Sequence, residues 1–242
     1  MSEGVVQGQG TGQGTGQHSG KERLAELRGL LRSRPPMARE LPGFDPAAAP
    51  EDPAELHVEW LLAAMTQEVP DAQLVTVSTV DADGRPDARV VGLRDIDPET
   101  GTWSFVADRR SPKGRQLAAT PWAAMTSYWP PMGRQVRLRG PVTALDQQDA
   151  PREERSVSPA AHAAALVGRQ SENMRSAEEF GPLWERALVL ANADPDGPVP
   201  GLTRYLLRPD TVEFWQGDSG RRHVRLAYCR GQDGWRRSLL WP

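Results

Sequence analysis

Several features are scarce in this chain of 242 residues, and each absence narrows the possible functions. The only cysteine is Cys229, which excludes a disulfide framework within the chain and a zinc site built from cysteines. No apolar run approaches the roughly 18 residues that a membrane-spanning helix needs. Residues 1–20 also lack the apolar segment of a signal peptide. We therefore expect a cytoplasmic protein with no membrane partner.

Excess positive charge is also missing. Lys and Arg total 29 against 32 Asp and Glu, a formal net charge of −3, which disfavours bulk nucleic-acid binding despite local arginine clusters. No HExxH, CxxC or carboxylate cluster indicates a metal, and no G-x-S-x-G indicates a serine hydrolase. The glycine-rich start does not form a phosphate loop, because Gln13 stands where a third glycine is required. Residues 1–20 are predicted to be a disordered low-complexity tail.

The next part of the chain predicts helices. Residues 21–32 are rich in Leu, Arg and Glu and favour a short amphipathic helix, followed by an extended, proline-containing connector to residue 52. A second helix is predicted over residues 53–69, with Leu56, Trp60, Leu61 and Met65 as its apolar stripe. His57 lies beside that stripe, and a structural role at the helix edge is favoured because no second ligand is near.

From residue 74 the pattern is typical of strands. Most of them are short, β-branched or alternating segments separated by Asp-Gly and proline turns. A short helix at residues 111–119 interrupts them, and residues 147–191 are predicted to be helical with breaks near Pro159 and Gly168. The predicted strands are residues 74–80, 89–94, 103–107, 122–129, 134–145, 205–207, 212–215, 224–229 and 235–239. We expect one α+β domain over residues 53–242, mostly β, with an antiparallel barrel of six or more strands and peripheral helices.

The strand at residues 134–140 suggests a ligand. Gln135, Arg137 and Arg139 alternate with apolar residues, so they share one polar, cationic face of a half-buried strand. Such a face suits a planar polyanion, and we propose flavin mononucleotide (FMN).

A helix start offers a site for the phosphate. Ser111 is the predicted N-cap, and Lys113 adds a cation to the unpaired N–H groups there. Arg89 on a neighbouring strand would add a bidentate fork. An ordinary capped surface helix with a solvated lysine is the alternative.

Amides and an aromatic ring complete the candidate set. Gln135 and Gln170 can read the edge of a heterocycle and Ser171 adds a hydroxyl, although plain surface polarity is the alternative. Taken alone, Trp215 is better explained by core packing, because tryptophan dominates cores as readily as it lines ligand sites; a ligand wall is the alternative.

Three basic side chains near the C-terminus need compensation. Arg221, His223 and Arg225 are predicted to alternate along one strand face, where they repel one another unless an anion or facing carboxylates are present.

Taken in order, these motifs resemble one family. They are Arg89-Val90-Val91-x-Leu93-Arg94, Ser111-x-Lys113, Arg134-Gln135-Val136-Arg137, Arg169-Gln170-Ser171, Glu213-Phe214-Trp215-Gln216-Gly217 and Arg221-x-His223-x-Arg225. From about residue 53 to residue 242 the chain is similar to the pyridoxine/pyridoxamine 5′-phosphate oxidases and to the related phenazine-biosynthesis flavin oxidases. The resemblance implies a split barrel and a homodimer that holds FMN in two clefts between its subunits.

The resemblance also implies roles for single residues. Arg221 and His223 match the catalytic pair that meets the substrate over the flavin, and Arg94 is a further substrate contact. The implied FMN contacts are Arg89, Val90, Val91, Leu93, Arg94, Val106, Ala107, Ser111, Lys113, Gln135, Gln170, Ser171, Trp215 and Arg225.

Departures from the family pattern concern the substrate more than the cofactor. Where the pyridoxal-phosphate enzymes grip the substrate phosphate with tyrosine, arginine and serine, this chain has Glu153, Val157 and Ala161. Pro112 replaces an arginine at the helix start, and Arg94 stands in place of a lysine. Residues 41–45 and 169–172 resemble the phenazine branch.

We therefore expect an FMN-dependent oxidase that takes hydride from a reduced heteroaromatic ring and passes electrons to O2, giving H2O2. A true pyridoxamine 5′-phosphate oxidase is the alternative within the enzyme class. Outside the enzyme class, the alternative is a non-catalytic split-barrel protein that binds flavin or haem. One geometric point is open: Arg89 and Arg94 are five residues apart and alternate to opposite faces, unless Gly92 forms a bulge.

Overall fold

A computed structural model of the protein describes residues 19–146 and 158–242. The helices are α1 (Gly20–Ser33), α2 (Pro53–Thr66), α3 (Pro112–Ala119), α4 (Pro159–Val167) and α5 (Phe180–Ala193). The strands are β1 (Leu74–Val80), β2 (Pro86–Asp97), β3 (Thr102–Asp108), β4 (Trp122–Trp129), β5 (Arg134–Asp146), β6 (Leu202–Leu207), β7 (Thr211–Gln216), β8 (Val224–Gly231) and β9 (Gly234–Leu239). No helix in either range is long and apolar enough to cross a membrane.

The strands form a closed antiparallel barrel. Hydrogen bonding runs in the order β4-β1-β2-β3-β6-β5, and β5 pairs with β4 to close the ring. Strands β7, β8 and β9 extend the sheet from the first half of β5. The expected α+β fold with a barrel of six or more strands is thereby confirmed.

Strand β5 takes part in both the barrel and the extension, because it changes partner along its 13 residues. Its first part, up to Arg139, pairs with β7, and its second part, from Val142, pairs with β6. The change occurs at Gly140, where a Cβ atom would lie 2.4 Å from the carbonyl oxygen of Arg208. Only glycine admits the backbone approach that lets the strand bend there.

The strand predictions agree closely with the structure, and the helical prediction over residues 147–191 agrees in part. Residues 147–157 lie outside the described ranges. Helix α4 begins at Pro159 and ends before Gly168, which has a left-handed backbone (φ 66°). The predicted break near Gly168 is therefore present, but residues 169–176 are non-helical, so the helical prediction is wrong for that segment. The 3-10 turn Ala177–Glu179 leads into α5.

Helix α2 closes the core with a stripe that differs from the predicted one. His57 is fully buried, whereas Met65 is exposed. The indole N–H of Trp103 donates to Nδ1 of His57 at 2.9 Å, and Nε2 of His57 lies 3.3 Å from Oγ of Ser127. Burial lowers the pKa of His57 to about 3, so the ring is neutral and carries its proton on Nε2.

The connector before α2 packs against the sheet extension. The phenol of Tyr228 donates to the carbonyl of Pro50 at 2.7 Å, and Arg237 pairs with Glu51 at 2.8 Å. Phe44 meets the ring of Trp60 edge-on, with centroids 5.0 Å apart. These contacts hold residues 44–52 across the strands that carry the candidate site.

The predicted bulge lies elsewhere on β2. Gly92 keeps regular register with Leu74, whereas the register with β3 shifts between Leu93 and Asp95. The extra residue is therefore Arg94 itself. Side chains therefore do not alternate strictly between the two faces of β2 beyond Leu93, and the face of Arg94 cannot be read from its distance to Arg89.

Candidate functional site

The first cluster of predicted site residues gathers around Arg89 on β2. Its Nη1 donates to Oγ1 of Thr79 at 2.6 Å and to the carbonyl of Val77 at 3.2 Å. Its Nη2 donates to Oδ2 of Asp87 at 2.6 Å and to Oε1 of Gln116 at 3.0 Å. Because Gln116 belongs to α3, this network places the arginine beside that helix.

Ser111 begins α3 as predicted. Its hydroxyl accepts from the N–H of Gly114 at 3.3 Å and donates to the carbonyl of Asp108 at 2.6 Å. The side chain is fully buried, so its first role is to cap the helix and tie it to the end of β3.

Lys113 lies in the first turn of α3, and its Nζ donates to Oε1 of Gln170 at 2.6 Å. Burial lowers the pKa of Lys113, and the positive charge of Arg89 lowers it further, while Asp108 opposes the shift. A neutral amide cannot balance the ammonium charge. The chemistry of this donor set therefore fits an anion such as a phosphate, which would restore the pKa.

A second cluster forms a row across the sheet extension. Gln135 on β5 pairs with Trp215 on β7, and Trp215 pairs with Arg225 on β8. On the other side, Gln135 pairs with Tyr128 on β4, whose side chain is exposed. Directly paired residues share a face, so an amide, an indole and a guanidinium lie side by side on the outward face of the sheet.

A carboxylate connects this row with its neighbour. Oε1 of Glu213 accepts from Nε of Arg225 at 2.8 Å, and Oε2 accepts from Nη2 of Arg137 at 2.6 Å. Burial alone would raise the pKa of Glu213, but the hydrogen bonds from Arg225 and Arg137 outweigh it and hold the pKa below its usual value. Arg225 thus has the facing carboxylate that crowded cations were expected to need.

Arg221 and His223 are not on a strand, which corrects the predicted alternation. Strand β8 begins at Val224, and Arg221 has a left-handed backbone (φ 62°) in the preceding loop. The N–H of Asp218 donates to Nδ1 of His223 at 3.0 Å. The His223 ring lies 4.8 Å from that of Trp215, which places it at one end of the outward row.

The two clusters occupy opposite faces of the barrel wall. Arg89 pairs with Val77, a buried residue of the barrel interior, so its Cβ is directed inward. Gln135 is on the outward face, and so is Val90, which is exposed. A single chain therefore does not place all predicted contacts around one ligand.

The remaining predicted residues divide between these regions. Val91 and Leu93 share the inward face of β2 with Arg89, and Arg94 occupies the bulge. Val106 and Ala107 lie on β3 opposite β6, and Ser171, beside Gln170, has a left-handed backbone (φ 68°). Of the three substrate-phosphate positions, Glu153 and Val157 lie outside the described residues, and Ala161 is an exposed residue in the first turn of α4.

Sequence reasoning missed four side chains that the structure connects to the site. Thr79, Asp87 and Gln116 hold Arg89, and no motif marked them. Glu213 could have been predicted from the sequence, because it is two residues from Trp215 on an alternating strand and therefore shares its face.

Together these observations define a barrel protein with clusters of cations and amides, a donor set that suits an anionic, planar ligand. Comparison with known proteins identifies the family. Residues 61–180 match the family described as pyridoxamine 5′-phosphate oxidase. Residues 203–242 match the pyridoxine 5′-phosphate oxidase C-terminal dimerisation region. The chain belongs to the pyridoxamine 5′-phosphate oxidase family, a family of flavin-dependent oxidoreductases.

The chain matches similar proteins over nearly their whole length. A pyridoxine/pyridoxamine 5′-phosphate oxidase of Pseudomonas fluorescens (strain SBW25) is 36% identical over 205 residues, 83% of this chain and 93% of the relative. One from Thermosynechococcus vestitus is 36% identical over 197 residues, 80% of this chain and 90% of the relative.

Solved structures show the same architecture. PhzG from Burkholderia lata 383, in complex with tetrahydrophenazine-1-carboxylic acid, has a TM-score of 0.75 at 28% identity, covering 84% of this chain and 98% of that one. A pyridoxamine 5′-phosphate oxidase-related, FMN-binding protein from Nostoc punctiforme PCC 73102 has a TM-score of 0.62 at 23% identity, covering 78% and 98%, which shows the fold alone.

Proposed function

We propose that the protein binds FMN and uses it to oxidise a small reduced heteroaromatic substrate. The observation that carries the cofactor proposal is the buried ammonium of Lys113, held 2.6 Å from Gln170, where burial and the charge of Arg89 outweigh the opposing charge of Asp108 and lower its pKa. Arg89, Lys113 and the start of α3 would hold the phosphate. Gln135, Trp215 and Arg225 would meet the ring system, where amides read its edge and the guanidinium favours negative charge.

We propose that the working unit is a homodimer. The phosphate cluster is directed inward on β2, and the ring-binding row lies on the outward face of the sheet. A cofactor that touches both sets takes one set from each chain. The match of residues 203–242 to a dimerisation region supports this arrangement.

Arg89, Lys113, Gln135, Trp215 and Arg225 would hold FMN, which would supply hydride acceptance from the substrate and electron transfer to O2, giving H2O2. The protein orients the substrate. His223 accepts from Asp218 at Nδ1, so the neutral ring carries its proton on Nε2 and presents a donor there. Together with Arg221 and the exposed Arg94, this donor suits an anionic group, such as a carboxylate, on the substrate.

The phenazine-type substrate class is favoured because α4 lacks a hydroxyl side chain at the substrate-phosphate position of the pyridoxal-phosphate enzymes. Ala161 presents a methyl group where the pyridoxal-phosphate enzymes use a serine hydroxyl, so it cannot bind a phosphate. The B. lata neighbour binds a tricyclic carboxylic acid, whose carboxylate matches the donors of His223, Arg221 and Arg94 described above.

A first experiment tests the cofactor. Purified protein is expected to be yellow, and the apo form is expected to take up FMN with one site per chain, followed by fluorescence quenching. A colourless protein that does not bind added FMN would end the proposal.

A second experiment separates the substrates. FMN-loaded protein is mixed anaerobically with tetrahydrophenazine-1-carboxylic acid or with pyridoxamine 5′-phosphate, flavin bleaching is recorded, and peroxide is measured after O2 is admitted. We expect bleaching with the tricyclic acid. Turnover of pyridoxamine 5′-phosphate would favour the second candidate function, which the 36% identity to oxidases of that name supports. Bleaching by neither compound would favour a non-catalytic flavin carrier.

A further inference from the structure

The carboxylate of Glu213 lies between two arginines on different strands. It accepts from Arg225 on β8 at 2.8 Å and from Arg137 on β5 at 2.6 Å. Its side chain is 11% exposed, although it stands on the outward face of the sheet. A carboxylate so well shielded is stabilised by both guanidinium groups, and the contacts it makes limit where those groups can move.

Arg225 is restrained from a second direction. Its Nη1 donates to the carbonyl oxygen of Trp241 at 2.8 Å, near the end of the chain. Glu213 holds Nε and Trp241 holds Nη1, so the plane of the guanidinium is determined. In register, Arg225 is the direct neighbour of Trp215, which pairs in turn with Gln135.

Arg137 borders open space. It lines a cavity of about 530 Å³, which is far larger than a single water molecule needs. Arg137, Arg139, Glu213 and Cys229 are among the residues that line it. Arg137 and the carboxylate that holds it therefore face a space that a ligand or a partner chain can enter.

We propose that Glu213 is a positioning residue of the cofactor site, which orients Arg225, adds Arg137 to the cationic surface and reduces their combined charge. Two arginines contribute +2 and one carboxylate −1, leaving +1. The inference rests on the proposed function, because Arg225 acts on FMN only if FMN binds there.

Two measurable properties depend on Glu213. Affinity depends on the fixed orientation of Arg225, since a preorganised donor loses less entropy on binding. The midpoint potential of bound FMN depends on the net charge beside the ring, because reduction adds negative charge that nearby cations stabilise.

The experiment uses the full chain with Glu213→Gln and Glu213→Ala, FMN titration and spectroelectrochemistry. Glu213→Gln keeps the shape but removes the charge, so the midpoint potential is expected to become more positive. Glu213→Ala removes the partner of Arg137 and leaves Arg225 held only by its contact with Trp241, and FMN affinity is expected to fall about tenfold.

Glu51→Gln is the matched control. Glu51 pairs with Arg237 at 2.8 Å, and Arg237 is the register partner of Tyr228, on the buried face opposite Glu213. This variant removes one arginine-bound carboxylate outside the site and is expected to change neither property.

The outcomes separate the two proposals. Wild-type protein that binds no FMN would overturn the proposed function and this inference with it. If wild type binds FMN and Glu213→Gln has an unchanged potential, even with a lower Tm, Glu213 is purely structural and only the inference is wrong. Should Glu213→Ala fail to fold, the potential of Glu213→Gln still decides.

Discussion

The ammonium of Lys113 lies 2.6 Å from the side-chain carbonyl oxygen of Gln170, although 57 residues separate them in the chain. The contact joins the first turn of α3 to the loop that follows α4. The amide orients the ammonium group but carries no charge, and Asp108 offsets only part of the effect of burial and of Arg89 on the pKa of Lys113. A buried cation in that condition costs free energy in the empty protein and strengthens the binding of an anion.

Lys113→Met is therefore expected to affect binding and stability in opposite directions. FMN affinity should fall about 10- to 100-fold, because a charge-assisted hydrogen bond to the phosphate is lost. The Tm of the FMN-free protein should stay level or rise, because a buried charge is removed. Fluorescence titration and thermal melts measure the two effects. Lys21→Met, in the exposed helix α1, is the control, and equal affinities of all three proteins would contradict the prediction.

His57 predicts an acid-dependent loss of stability. Its pKa is about 3 in the folded protein against 6.5 for the free side chain, so only the unfolded chain takes up a proton between these values. Stability is complete above pH 6.5 and falls as the pH drops toward 3. The loss from this group is about 2 kcal/mol at pH 5 relative to pH 8.

Urea unfolding at pH 8 and pH 5 tests this, since most carboxylates stay ionised over that window. His57→Gln should be less stable at pH 8, because the hydrogen bond from Trp103 is disturbed, yet it should show a smaller difference between the two pH values. An undiminished difference in the variant would show that other groups cause it.

Trp215 should report directly on the ring of the cofactor. Its indole lies between Gln135 and Arg225 in the outward row, where it can quench the fluorescence of bound FMN. Trp215→Leu is expected to brighten the bound flavin and to weaken FMN binding about two- to tenfold, the range of an aromatic contact. Trp235→Leu is the control, because Trp235 packs against the core and under Arg230. A bound flavin of unchanged brightness in Trp215→Leu would place the ring elsewhere.

Gly217 explains how the N-terminal connector reaches this end of the sheet. A Cβ atom there would lie 2.4 Å from Sδ of Met37 and 3.0 Å from Cη2 of Trp215. Gly217→Ala should therefore cost about 1–3 kcal/mol of stability through overpacking. Adding Met37→Ala should recover part of that loss, whereas Gly181→Ala, where no atom lies within 4 Å, should cost far less. A double variant no more stable than Gly217→Ala would exclude the Met37 contact as the cause.

Local pattern was enough to predict most of the barrel. Strands β1 and β4 have the predicted bounds, because β-branched and alternating residues between clear turn signals leave few alternatives. The cap of α3 followed from Ser111 and Pro112 alone. The bulge was assigned to Gly92 because glycine is the usual signal, but its true place at Arg94 depends on pairing with β3, which local pattern does not contain.

The amino-acid order by itself determined the alternation of β5, the α3 cap and the family to which the chain belongs, since each depends on neighbours within a few residues or on a set of short motifs. Tertiary structure alone decided that Glu213 bridges Arg137 and Arg225, that Gln170 meets Lys113, and that His57 is buried among aromatic rings. These contacts join segments distant in the chain, and only the closure of the barrel and the register of its strands bring such segments together.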